Sequence, residues 1–203
     1  VGDIDVKRFE NKIIEMFSPI EMPANAPGRI YYPGGDKKGT IYAIGKDKEQ
    51  SNAIIEIMFK QDAMPDSLKG SMEYMIHNYA TSMITSMLDS RLNDMMSKPD
   101  APFAMASSSY GEFFVAKTKD AFTVSGIAKG NDIKPVLEAI YREVLRAQRG
   151  GFTATEYERA RSEYLSRLET AYKNRNQQES TRFAREYVSH FVDNEPIPGI
   201  EFE

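Results

Sequence analysis

Apolar positions recur at a spacing of three or four in several stretches of the chain, and short β-rich runs lie between them. The first helical stretch carries Phe9, Ile13, Met16 and Phe17 behind a capping Asp5, and Ser18-Pro19 stops it. Ahead of it, Val1 and Gly2 are expected to end a strand that runs straight into the helix, as in a piece cut from a longer protein. Residues 19–39 hold four prolines and four glycines among mostly polar residues, a composition for a surface crossing. Two β-rich runs follow, residues 40–45 and 52–60, the second with Ala53, Ile55, Ile57 and Phe59 expected to face inward.

The longest pattern comes next: Met72, Met75, Ile76, Tyr79, Met83, Ile84, Met87, Leu88, Leu92, Met95 and Met96 predict one helix with a broad apolar face. It ends no later than Lys98, because Pro99 restricts the residue before it and brings no amide hydrogen. Residues 103–110, 112–117 and 121–128 read as three strands, the last two joined at the polar triplet Thr118-Lys119-Asp120, and such short connections imply antiparallel pairing. A helix with Val136, Leu137, Ile140, Tyr141, Val144 and Leu145 on one side then stops at Gly150-Gly151. Thr153 to Glu156 is a capping box that opens a long helical region. Its inner stripe of Tyr157, Ala160, Tyr164, Leu165, Leu168 and Tyr172 is expected to resume at Phe183, Tyr187, Val188 and Phe191, after which residues 195–203 leave the fold. This order lacks the regular alternation of parallel α/β folds. It predicts an α+β domain, a mostly antiparallel sheet with helices packed on one face in a two-layer sandwich.

Composition adds limits rather than chemistry. A chain of 203 residues has room for one sizeable core, so residues 1–203 are taken as a single domain. A formal charge of -4 offers no general attraction for a phosphate backbone, which argues against nucleic acid as a partner. The absence of cysteine removes disulfides and thiolate metal sites, and it fits cytosol and periplasm equally. No apolar run approaches the roughly 20 residues that span a bilayer.

Candidate chemistry is sparse. The two histidines, His77 and His190, each follow a glutamate by four residues, Glu73 and Glu186. A catalytic zinc site takes three protein ligands, and neither pair has a third nearby, so helix-surface hydrogen bonding is the better account. The six methionines of the long helix follow its Ile and Leu stripe and read as core. The hydroxyls of residues 107–110 come without a Gly-x-Ser-x-Gly or Ser-x-x-Lys pattern, and residues 34–39 lack the Walker spacing, so neither predicts a nucleophile or a phosphate loop. Glu163 and Arg167 are placed for an exposed helical ion pair.

Several segments together resemble the pitrilysin/insulinase family of zinc peptidases. VGDID with MFSPI is similar to the entry into the second of the two like domains in each half of those proteins. SMLDSRLNDMM resembles the helix that ends in Ser-Arg-Leu, RGGFTATEYERARSEYLSRLE resembles the following helix start, and FVDNEPIPGIEFE resembles the exit toward the next half. The resemblance implies a peptidase-family C-terminal-type domain, with residues 192–203 as the exit segment. It places the inverted zinc motif His-x-x-Glu-His in a different domain, so neither a catalytic residue nor a metal ligand is expected here and zinc is expected only in the parent protein. The partners it implies are neighbouring domains of the same chain and the parent's peptide substrate, in a periplasmic or exported setting. In supportive second-half domains of that family an Arg, and a Tyr seven residues later, hold substrate. By spacing these positions fall on Ser97 and on Ala104, or Phe103 if the turn shifts by one. Neither pair can donate as Arg and Tyr do, which implies a structural first-half domain, with a pseudo-enzyme as the alternative parent. A third possibility is a free-standing module that takes extended peptide along a sheet edge.

Overall fold

A computed structural model describes residues 3–21, 23–28, 30–197 and 199–200. The strand expected at Val1-Gly2 lies outside the described residues. The elements in order are α1 (Val6–Phe17), β1 (Ile54–Asp62), α2 (Met72–Met96), β2 (Phe103–Phe113), β3 (Ala116–Ala128), α3 (Lys134–Gly150), α4 (Ala154–Lys173) and α5 (Ser180–Asp193). The sheet is antiparallel in the order β1-β3-β2, so the last strand in sequence sits in the middle. The α+β class is as the pattern predicts.

Alternation along β3 explains how the layers meet. Phe122, Val124, Gly126 and Ala128 point to the helices, where Val124 and Ala128 join Leu88 and Leu92 of α2, Phe103 and Ala106 of β2, and Val136 and Ile140 of α3 in one buried cluster. Gly126 is needed here for close approach: a Cβ at that position would lie 2.6 Å from Val136 Cγ1, well inside contact distance. α4 packs behind α2 through a second cluster of Met83, Met87 and Ala160, edged by Tyr79, Phe152 and Tyr164. The local caps are as expected: Asp5 accepts from the Arg8 amide, and Thr153 and Glu156 close the capping box. Gly151 takes a positive φ of 64° to end α3.

The structure corrects several expectations. Residues 40–45 form no strand, and Ile41, Tyr42 and Ile44 are exposed, because the run finds no neighbouring strand to take its amides. The three strands expected after α2 are two, and the hairpin turns at Phe114-Val115 rather than at Thr118-Lys119-Asp120. The polar triplet stays within β3 because its charges are satisfied there. Lys119, nearly buried, reaches Asp36 Oδ2 at 2.7 Å and Asp62 Oδ1 at 2.6 Å, and Asp120 accepts from the Tyr110 hydroxyl at 2.9 Å. Ala53, just before β1, and Ile55 and Ile57 on it pack inward, but Phe59 is exposed. Only part of the methionine stripe is core: Met83 and Met87 are buried, whereas Met72 and Met96 face outward. The stripe does not resume in α5. That helix is separate and buries none of its residues, leaving Phe183, Tyr187, Val188 and Phe191 exposed. Nor does the tail depart at once, since Glu195 Oε2 accepts from the Tyr74 hydroxyl at 2.6 Å and Glu195 Oε1 pairs with Lys69 at 3.0 Å.

Candidate functional site

The densest polar arrangement is built on Arg91, which stands among the apolar residues Leu88 and Leu92 on α2. Its Nε and Nη2 donate in fork fashion to Glu156 Oε1 and Oε2 at 2.5 and 2.9 Å, its Nη1 donates to Glu143 Oε1 at 3.2 Å, and Nη2 also reaches the Gly151 carbonyl at 3.0 Å. The guanidinium lies 4.5 Å from the centre of the Phe152 ring. One side chain therefore ties α2 to α3, to the α3–α4 corner and to the start of α4. A planar guanidinium suits this task, because two parallel N–H groups match a carboxylate while the other donors stay free for other partners.

Glu156 serves two structures at once. Its Oε2 accepts from the Thr153 amide at 2.7 Å and the Thr153 hydroxyl at 2.9 Å as well as from Arg91. The Arg91 hydrogen bonds, followed by that of the Thr153 amide, hold its carboxyl down to about 2, against an ordinary 4.5. The folded carboxyl thus binds its proton less readily than the unfolded one, so its contribution is complete above pH 4.5 and is lost as pH falls toward 2. We expect the melting temperature to drop through that window, and Glu156→Gln to flatten this part of the profile; thermal melts of both proteins in steps from pH 5 to pH 2 check it.

A second network lies where β2 meets α2. The Tyr110 hydroxyl donates a hydrogen bond to Asp120 Oδ2 and accepts one from Gln61 Nε2 at 2.7 Å, and His77 Nε2 is 3.2 Å from the same oxygen. With that hydroxyl proton already committed, the His77 ring must donate from Nε2. Burial, together with the Asp120 carboxylate, pushes the Tyr110 hydroxyl up to about 12, which leaves it unfit as a base near neutral pH. On the outer edge of β2, Asp89 Oδ1 accepts from the Ser108 amide at 2.5 Å and the Ser108 hydroxyl at 2.8 Å. An edge amide that an added peptide strand would need is therefore already taken.

The residues singled out in the sequence do not converge. Ser97 caps the end of α2, its hydroxyl donating to the Asn93 carbonyl at 2.9 Å. Ala104 is exposed at an irregularity in β2 where the register shifts between Phe103 and Met105. Phe103 is fully buried in the core. His77 hydrogen-bonds across to β2 rather than along its own helix, and His190 Nδ1 meets the Glu195 carbonyl at 2.7 Å. Ser107 faces Ser125 at 3.2 Å. Arg167 lies 5.9 Å from the Tyr164 ring centre rather than against Glu163. Asp36, in the glycine-rich turn, pairs with Lys60 at 3.0 Å as well as with Lys119. Among the described residues no group of three His, Asp or Glu side chains is arranged to hold a metal ion, and no buried side-chain nitrogen or oxygen lacks a hydrogen-bond partner. Sequence reading missed Arg91 as a hub, although a lone arginine inside an apolar helical stripe was the available signal.

No family model matches the chain. Over 205 aligned residues it is 27% identical to a protein of Arabidopsis thaliana described as a PQQL-like zinc protease, covering all of this chain but 18% of that protein's length. The periplasmic protease PqqL of Escherichia coli superposes with a TM-score of 0.78 at 18% identity, over 99% of this chain and 22% of PqqL. The separately solved first half of PqqL gives 0.78 at 20% identity and is covered to 42%. A predicted insulinase family protease of Yersinia pestis gives 0.70 at 11% identity, again covered to 42%. The chain accordingly has the α+β fold found in one segment of each of these solved proteases, and its own described residues hold no metal-binding cluster.

Proposed function

We propose that residues 1–203 are a single non-catalytic domain of a zinc-dependent metallopeptidase of the pitrilysin/insulinase kind, the second domain of its first half. In this reading the domain supports the zinc domain and forms part of the wall that encloses the peptide, residues 192–203 lead toward the next half, and zinc is bound outside these residues. The family positions for the substrate-holding Arg and Tyr fall near Ser97 and Ala104, and they take no part in binding here. The observation that carries the reading is the likeness in fold over 99% of the chain to a segment of PqqL. The polar side chains support it, because the more buried of them, Arg91, Glu143 and Lys119, join one element of the chain to another. The bare stripe of α1 supports it too: Phe9, Ile13, Ile14 and Phe17 stay exposed on a helix that buries none of its residues, and apolar surface of that kind calls for a neighbour. A periplasmic or exported setting belongs to the same proposal, supported by the description of the Escherichia coli protein.

The rival parent is a pseudo-enzyme that keeps the architecture without the metal. The full-length gene product separates the two. We expect a His-x-x-Glu-His motif upstream of Val1, about one zinc per chain, and peptide hydrolysis that a chelator abolishes. A full-length protein with no such motif and no bound zinc supports the pseudo-enzyme and removes the peptidase reading.

A further inference from the structure

β1 is an outer strand of the sheet, paired only on its β3 side. The Ala53 carbonyl accepts from the Ala128 amide at 2.9 Å and the Ala63 amide donates to the Thr118 carbonyl at 3.1 Å, so in the unbroken register between them Ile55, Ile57, Phe59 and Gln61 turn their backbone groups to β3. Ile54, Glu56, Met58 and Lys60 turn theirs outward, and among the described residues no loop or turn backbone bonds to them. A row of unbonded amides and carbonyls along a strand edge is a template for another strand.

The chain itself supplies a candidate. Residues 40–45 have the β-branched and aromatic composition of a strand, yet they pair with no strand of the sheet, and Ile41, Tyr42 and Ile44 are 65%, 84% and 86% exposed. The two flanks of this run are tied to opposite ends of β1. Ahead of it, Asp36 pairs with Lys60 at 3.0 Å and with Lys119 at 2.7 Å, the Lys60 ammonium donates to the Gly35 carbonyl at 2.9 Å, and the Gly34 amide donates to Thr118 Oγ1 at 3.3 Å. Behind it, Ala53 is held beside Ala128, where β1 begins. Between the ties the chain returns from the end of β1 to its start, antiparallel to it. Residues 37–52 can reach about 55 Å when extended, against roughly 30 Å for a strand the length of β1, so there is slack for a turn. Bends already flank the run: Gly39 has a φ of 83°, and the chain turns at Lys48-Glu49, where Asp47 Oδ1 accepts from the Glu49 amide at 2.8 Å.

We propose that residues 40–45 are a strap that closes on the free edge of β1 as a fourth, antiparallel strand. This goes beyond the peptidase reading and does not depend on it. With Gly45 opposite Ile54, Tyr42 and Ile44 fall beside Ile57 and Ile55, whose side chains pack against the core, and Asp36 falls opposite Ala63, close to the partners it already has. Closure gives the outward backbone groups of Ile54, Glu56 and Met58 partners, takes apolar side chains out of water, and removes an edge on which a foreign strand could build. The entropic cost is small, because both ends of the strap are already held.

Nuclear magnetic resonance on the 203-residue chain tests this. The expected result is short Hα–Hα contacts between the run and β1, with Ile44 to Ile55 and Tyr42 to Ile57 the pairs this register gives, together with slow hydrogen exchange at the amides of Ile41, Ala43, Glu56 and Met58. The same two stretches in a neighbouring antiparallel register also support the strap. Ala43→Pro, at an exposed residue, removes a ladder amide from the run and leaves the core untouched. In that variant the Glu56 and Met58 amides are expected to lose their protection, while those of Ile55 and Ile57, bonded to β3, keep theirs. An absence of contacts between the run and β1, contacts of the run with β2 or with a second chain, or protection at Glu56 and Met58 that survives Ala43→Pro overturns the inference.

Discussion

Replacing Arg91 by alanine is expected to destabilise the domain by about 3–5 kcal/mol, the cost of removing one partner from a buried ion pair. The magnitude follows from what is left behind. Glu143 has a side chain 6% exposed, and it would keep only Arg146 at 3.5 Å, itself 68% exposed. Glu156 would lose both guanidinium bonds while still having to cap α4. Spread over a protein of this size, the loss lowers the melting temperature on the order of 10 °C. Arg91→Lys should recover only a small part, since an ammonium cannot meet Glu156 with two parallel donors and reach Glu143 and Gly151 together. Thermal melts of the three proteins check this; a lysine variant as stable as the wild type would mean that charge alone matters and that the fork geometry does not.

Phe103→Ala should cost about as much, roughly 3–5 kcal/mol, for a different reason. Its side chain is fully buried among Leu88, Leu92, Val124, Val136 and Ile140, so truncation leaves a cavity that three elements must close without moving. The neighbouring exposed Ala104 gives the contrast. Ala104→Tyr is expected to change stability by less than about 0.5 kcal/mol, as surface substitutions do. Denaturant unfolding of both variants measures the difference. If Phe103→Ala were nearly neutral, the core could not be centred where α2, α3 and the sheet meet.

What the sequence disclosed was local. Asp5, the Thr153-Glu156 pair and Gly151 act within a turn of chain, so their residue types suffice to place helix ends. Val136 and Ile140 declared themselves by period. What depended on distant partners was hidden. Thr118-Lys119-Asp120 has the composition of a turn, yet Asp36, Asp62 and Tyr110 supply what those side chains need inside a strand, and no local rule names residues so far away. The run at residues 40–45 has every local mark of a strand, yet it pairs with neither edge of the three-stranded sheet. The apolar spacing in α1 and α5 is helical, as read, but burial needs a second surface, and neither helix buries a residue within this domain. Arg91 sits within the Ser-Arg-Leu segment, but its task of linking three helices depends on Glu143 and Glu156, which lie far away in sequence.

The proposed function turns on the polar groups of this chain being committed to joining its own elements, which is the arrangement expected of an architectural part of a peptidase. Metal analysis of the purified 203-residue chain, loaded with zinc and then dialysed exhaustively, addresses this most directly. The account predicts far less than one equivalent retained and no cleavage of added peptides. Zinc held at one equivalent, with hydrolysis by this chain alone, would contradict it.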